Sequence, residues 1–144
     1  MKKESFRSIL LKLLIIPVGS IVALIICYAL YYAIFLFAES VLFRNNPNTM
    51  PVGIIRNLYA VLLAVIYFAL FRTKIPDIIK AIILAAPLAM LIVAAILALY
   101  ITPVLAAVVS AAIAICCFLL LNRHKKSWFY YYSAVIAVVI AIAY

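Results

Sequence analysis

Residues 81–121 read "AIILAAPLAMLIVAAILALYITPVLAAVVSAAIAICCFLLL", without one charged side chain. As a single α-helix at about 1.5 Å per residue this run would be about 60 Å long, twice the hydrocarbon core of a bilayer. It therefore has to fold back. The break is "LYITPV", Leu99 to Val104, where Pro103 stops a preceding helix and Thr102 is placed to cap a new one. The run is read as two helices, about 77–99 and 103–121, with Asp77 and Lys80 the charges near the start of the first.

The rest of the chain follows the same pattern. Of its 144 residues 73% are hydrophobic and 10% charged, a balance that leaves too little polar surface to cover a soluble globule. A first apolar run, about 9–38, is longer than a bilayer crossing and carries Pro17 as a kink near its start. A second spans about 51–71 and opens with Pro51, which suits a first helical turn because its missing N–H would have no partner there. "NRHKKS" then sets off a last run, about 128–144. The predicted fold is an all-α integral membrane protein, a single transmembrane domain over 1–144 with about five spanning helices.

The start of the chain, "MKKESFRSILLKLLII", has the charge pattern of a signal peptide, but its apolar region continues too far for a cleaved one and fits an uncleaved anchor. "LIIC", ending at Cys27, lacks the small residue that a lipoprotein cleavage box needs, since Ile26 stands there.

Charge distribution sets the expected orientation. With the N-terminus cytoplasmic, the inner segments hold Lys2, Lys3, Arg7, Lys12, Arg72, Lys74, Lys80, Arg123, Lys125 and Lys126, and the outer ones only Arg44 and Arg56. That is the positive-inside bias, and it puts the C-terminus outside. The cytoplasmic membrane of a prokaryote is the expected location. A net charge of +9 would also suit nucleic acid, but the basic residues form short clusters between apolar runs, which suits lipid headgroups and excludes nucleic acid as a partner. "WFYYY", Trp128 to Tyr132, lies beside the inner basic loop, and Tyr100 and Tyr144 lie at the other end, as an interfacial aromatic belt would place them.

Small residues recur at helical spacing. Ala81, Ala85 and Ala89, Ala94 and Ala98, then Ala106, Ser110 and Ala114, and finally Ser133, Ala137 and Ala141 form stripes that let helices approach closely. They predict that the last three helices pack as one unit. Pro87 marks a bend in the third helix that opens a cavity or only curves it. Cys27, Cys116 and Cys117 form no metal-binding or disulfide pattern with the lone His124, and are read as small buried apolar groups. No cofactor is expected.

Polar chemistry gathers at one place. On the first helix Tyr28, Tyr31, Tyr32, Phe35 and Glu39 share a face. On the second, Asn57, Ala60, Ala64, Tyr67 and Phe71 do the same. The two faces are expected to line an outward-facing groove, or else to be ordinary aromatic packing within the bundle. Glu39 ends the tyrosine face, and Arg56 comes back to the same membrane level after a short loop. A Glu39–Arg56 pair is the expected contact, because an unpaired carboxylate near lipid is costly. With Arg44, Asn45, Asn46, Asn48 and the start of the second helix nearby, the mouth would bind an anion such as a phosphate, a carboxylate or a lipid headgroup. The same residues also fit a plain interfacial loop whose charges reach to the headgroups. Candidate ligand-binding residues are thus Glu39, Arg44, Arg56, Asn57, Tyr28 and Tyr32.

"ESVLFR", Glu39 to Arg44, resembles the EExxxR motif of the CPBP intramembrane proteases, with Ser40 in the place of the second glutamate. That family's further motifs need histidines in later helices, and no predicted span holds one. Glycine-rich phosphate loops and paired intramembrane carboxylates are missing as well.

The expected function is a transporter, or the membrane subunit of one, that binds a small or lipid-like ligand in the groove. An accessory or assembly subunit that contacts a partner's helices, or a second copy of itself, remains open. So does a lipid-headgroup enzyme with Glu39 as base.

Overall fold

A computed structural model of the chain describes residues 6–44 and 50–143. It is all-helical, with no strand among the described residues. α1 (Phe6–Phe37) continues into a π-helical turn (Ala38–Leu42) and is followed by α2 (Val52–Phe71), α3 (Asp77–Ala98), α4 (Pro103–Arg123) and α5 (Trp128–Ala143). The first four are long and apolar enough to cross a membrane, and α5 is a shorter apolar helix of 16 residues. The chain is a multi-pass membrane protein.

Local chemistry accounts for the helix ends. Pro103 takes the first position of α4, and the Leu99 and Thr102 carbonyls accept the turn hydrogen bonds around the break. Asp77 occupies the first turn of α3, where a negative charge opposes the positive helix end. Lys125, at a φ of 48°, ends the turn between α4 and α5. At the close of α2, the Lys80 ammonium reaches back from α3 and donates to the carbonyls of Phe71, at 3.1 Å, and Thr73, at 2.5 Å.

α3 is the axis of the bundle, and the other four helices pack on it. Its closest partner is α5. Ala81, Ala85 and Ala89 on one side, and Ser133, Ala137 and Ala141 on the other, are all buried, and the Ser133 hydroxyl donates to the Ala81 carbonyl. α1 joins through Ile16 and Ser20, both fully buried, with Gly19 between them against Ile82. In lipid such close approach supplies what hydrophobic sorting does not.

Three expectations change. The last three helices do not form one tight unit: α3 and α5 pair closely, while α4 buries only Ala106 and Leu121. Ser110 and Ala114 are only partly covered, and Ala98 is exposed. The "WFYYY" segment is not all interfacial anchor either. Tyr130 is fully buried and Phe129 nearly so, because the first turn of α5 packs on α3. Nor are the cysteines all buried: Cys116 is exposed, while Cys27 and Cys117 are half-buried, Cys117 against the core, and all three are free.

Candidate functional site

The tyrosine face of α1 meets more of the bundle than α2. α1 and α2 lean on α3 rather than on each other, and touch far less than either touches α3. Their polar tie is the Tyr59 hydroxyl, which donates to the Cys27 carbonyl at 2.7 Å, with the Tyr31 ring 5.5 Å from that of Tyr59. The space beside this tie is a cavity of about 530 Å³. Leu24, Ile25, Tyr28 and Tyr31 line it from α1 and Arg56 from α2, with Ala89, Met90, Val93 and Leu97 from α3 and Ile140 and Ala141 from α5. The groove expected between the first two helices is therefore a four-helix cavity with α3 and α5 as its wall.

Arg56 is the cationic group of this cavity. Its Nε is buried with no hydrogen-bond partner, and no carboxylate pairs with it among the described residues. The expected Glu39–Arg56 pair does not form. Glu39 lies in the π-helical turn and lines a separate shallow depression with Ser40, Phe43 and Arg44. The π-helical turn that carries Glu39 packs on α1 and not on α2, which leaves the two residues apart.

The other candidate residues divide accordingly. Tyr28 lines the cavity although 56% of its surface is exposed, whereas Tyr32, on the same predicted face, is exposed and lines none of it. Asn57 is exposed, one residue past Arg56. Arg44 is exposed at the end of the π-helical turn. Asn45, Asn46 and Asn48 lie outside the described residues.

The α2 face splits as well. Ala60 is buried, but Tyr67 and Phe71 turn to a second cavity, of about 280 Å³, between α2, α3 and α4. At the basic end of the bundle Asp77 accepts a hydrogen bond from Tyr130 at 2.8 Å and has the Lys126 ammonium 3.8 Å away. Lys126 also stands over the Phe71 ring, 4.3 Å from its centroid. No spacing rule pointed to Asp77, Lys126, Phe71 and Tyr130 as a group, since they come from four separate segments. A His/Cys/Asp/Glu cluster able to hold a metal ion is absent among the described residues.

Comparison with protein-family models, with curated proteins and with solved structures found no match.

Proposed function

We propose that this protein binds an amphipathic anion, a molecule with a hydrocarbon tail and a phosphate or carboxylate head, and carries it across or along the membrane. The observation that carries the reading is the buried, unpartnered Nε of Arg56 in an otherwise apolar cavity. A buried guanidinium nitrogen without a partner is costly, and an anion that pairs with the group offsets that cost. Arginine also offers a planar fork that fits phosphate and carboxylate oxygens two at a time. Tyr28 and Tyr31 add hydroxyls and ring edges at the same level, and the walls from α3 and α5 suit an acyl chain.

Five spans, with the N-terminus cytoplasmic and the C-terminus external, complete the proposal on the strength of the basic-residue asymmetry. In that orientation Arg56 lies toward the outer leaflet. α5 is short for a span, and its Trp128 end is suited to an interfacial position.

Native mass spectrometry of the full chain in mild detergent, titrated with phosphatidylglycerol or phosphatidylcholine, tests binding. Preferential retention of phosphatidylglycerol, lost in Arg56→Gln, is the expected result. Equal retention of both lipids by the unaltered protein and by Arg56→Gln overturns the reading. Movement is tested separately, by the flux of fluorescent phosphatidylglycerol in proteoliposomes.

A further inference from the structure

The second cavity, between α2, α3 and α4, differs in chemistry from the Arg56 cavity. No charged side chain lines it. Its wall holds Tyr67, about nine-tenths buried, whose hydroxyl is closed off beneath the cavity surface and has no hydrogen-bond partner. Its rim holds His124, an exposed residue just past the end of α4. Between them stands Phe71, with ring centroids 6.1 Å from Tyr67 and 5.5 Å from His124. α2 and α4 both pack on α3, but barely touch each other. The cavity is thus left without a helix–helix seam on that flank, the side from which a lipid-soluble molecule would enter.

These features narrow the occupant. A buried hydroxyl without a partner is costly, so a ligand that brings it a hydrogen-bonding atom is favoured over a plain hydrocarbon. A plain acyl chain brings none. An anion is disfavoured in a cavity without a cation. The volume exceeds the roughly 150 Å³ that holds a benzene, which leaves room for a substituted ring. The aromatic wall of Tyr67, Phe68 and Phe71 offers edge and face contacts to a flat ring. A ring with an oxygen at each end meets Tyr67 inside and His124 at the rim.

We propose that this cavity binds the head of a neutral membrane quinone, ring between α2 and α4, tail running out to lipid between those helices. Tyr67 donates its hydroxyl to the deep carbonyl oxygen, and His124 serves the outer one. The proposal concerns binding alone and is independent of the Arg56 site.

The test titrates the full chain in lipid nanodiscs with decylubiquinone, a fully substituted quinone that does not alkylate thiols, using decanol as the control. Saturable quinone binding is expected, weakened roughly three- to tenfold in Tyr67→Phe by loss of one hydrogen bond. Arg56→Gln is expected to leave quinone affinity unchanged. A second measurement needs no substitution. Cys116 and Cys117 line the cavity and Cys27 does not, so bound quinone should slow maleimide labelling of that pair and leave Cys27 unaffected. No saturable binding, equal affinity for decanol, or equal protection of all three cysteines overturns the proposal. Undiminished affinity in a folded Tyr67→Phe protein overturns it too.

Discussion

The Ser133 hydroxyl on α5 donates to the Ala81 carbonyl on α3, and neither residue has any accessible surface. The bond lies in the seam between α3 and α5, where two faces of small residues meet. The seam is predicted to depend on size more than on the hydrogen bond. Ser133→Ala should cost roughly 0.6 kcal/mol, the average for such bonds in membrane helices. Ala137→Leu should cost about 1–3 kcal/mol, by forcing the helices apart. Unfolding in a graded series of SDS and mild detergent would rank the two, and a larger loss from Ser133→Ala would contradict the packing account.

Lys80 is only 7% exposed, yet it is a lysine within an apolar helix. Its ammonium donates to the carbonyls of Phe71 and Thr73, groups at and just beyond the end of α2 that have no helical amide ahead of them. Lys80→Met keeps the stem and removes the donor, and should destabilise the protein by about 1–2 kcal/mol. Amide exchange should rise at residues 71–74 while the middle of α3 stays protected. Unchanged exchange at the α2 end would show that the ammonium is not what holds it.

The helix breaks and the small faces of α3 and α5 were legible, because both rest on strong local rules. Pro103 cannot continue the hydrogen-bond ladder of a preceding helix, and Ala81, Ala85 and Ala89 recur at the spacing of one face. Neighbour choice was not legible. Spacing says which residues share a face of α1, but α1 is apolar all round, so nothing in its pattern told whether that face meets α2 or α3. The same gap explains Tyr130. An interfacial anchor and a buried core aromatic look alike in "WFYYY", and only its bond to Asp77, fifty-three residues away, separates them. Arg56 stands out by its charge and position, but its separation from Glu39 depends on helix placement that no local spacing encodes.

Gly19 lies where α1 crosses α3. A Cβ added there would stand 3.0 Å from Ile82 Cδ1 and Cγ2, so the neighbouring side chain would have to move. Gly19→Leu should destabilise the bundle by about 1–3 kcal/mol. Combining it with Ile82→Ala should recover part of that loss, because the truncated neighbour makes room. A double-mutant cycle on thermal unfolding reads the coupling directly. Strict additivity would mean that the two positions do not press on each other.

The separation of Glu39 from Arg56 leads to a sharp contrast in ligand binding. Were the two an ion pair, removing either charge would release the other, and Glu39→Gln would strengthen anion binding by freeing the guanidinium. Arg56 instead already lacks a carboxylate partner among the described residues, and Glu39 lines a different depression with Arg44. Glu39→Gln is therefore expected to change phosphatidylglycerol retention by less than about twofold. Arg56→Gln should weaken it at least about tenfold, the scale of a lost charge-assisted hydrogen bond of about 1.5–3 kcal/mol. Arg56→Lys should fall between, since it keeps the charge but loses the planar fork. Titrations of the three variants by native mass spectrometry at fixed salt would decide it. A rise in affinity in Glu39→Gln would restore the ion pair as the resting partner of Arg56.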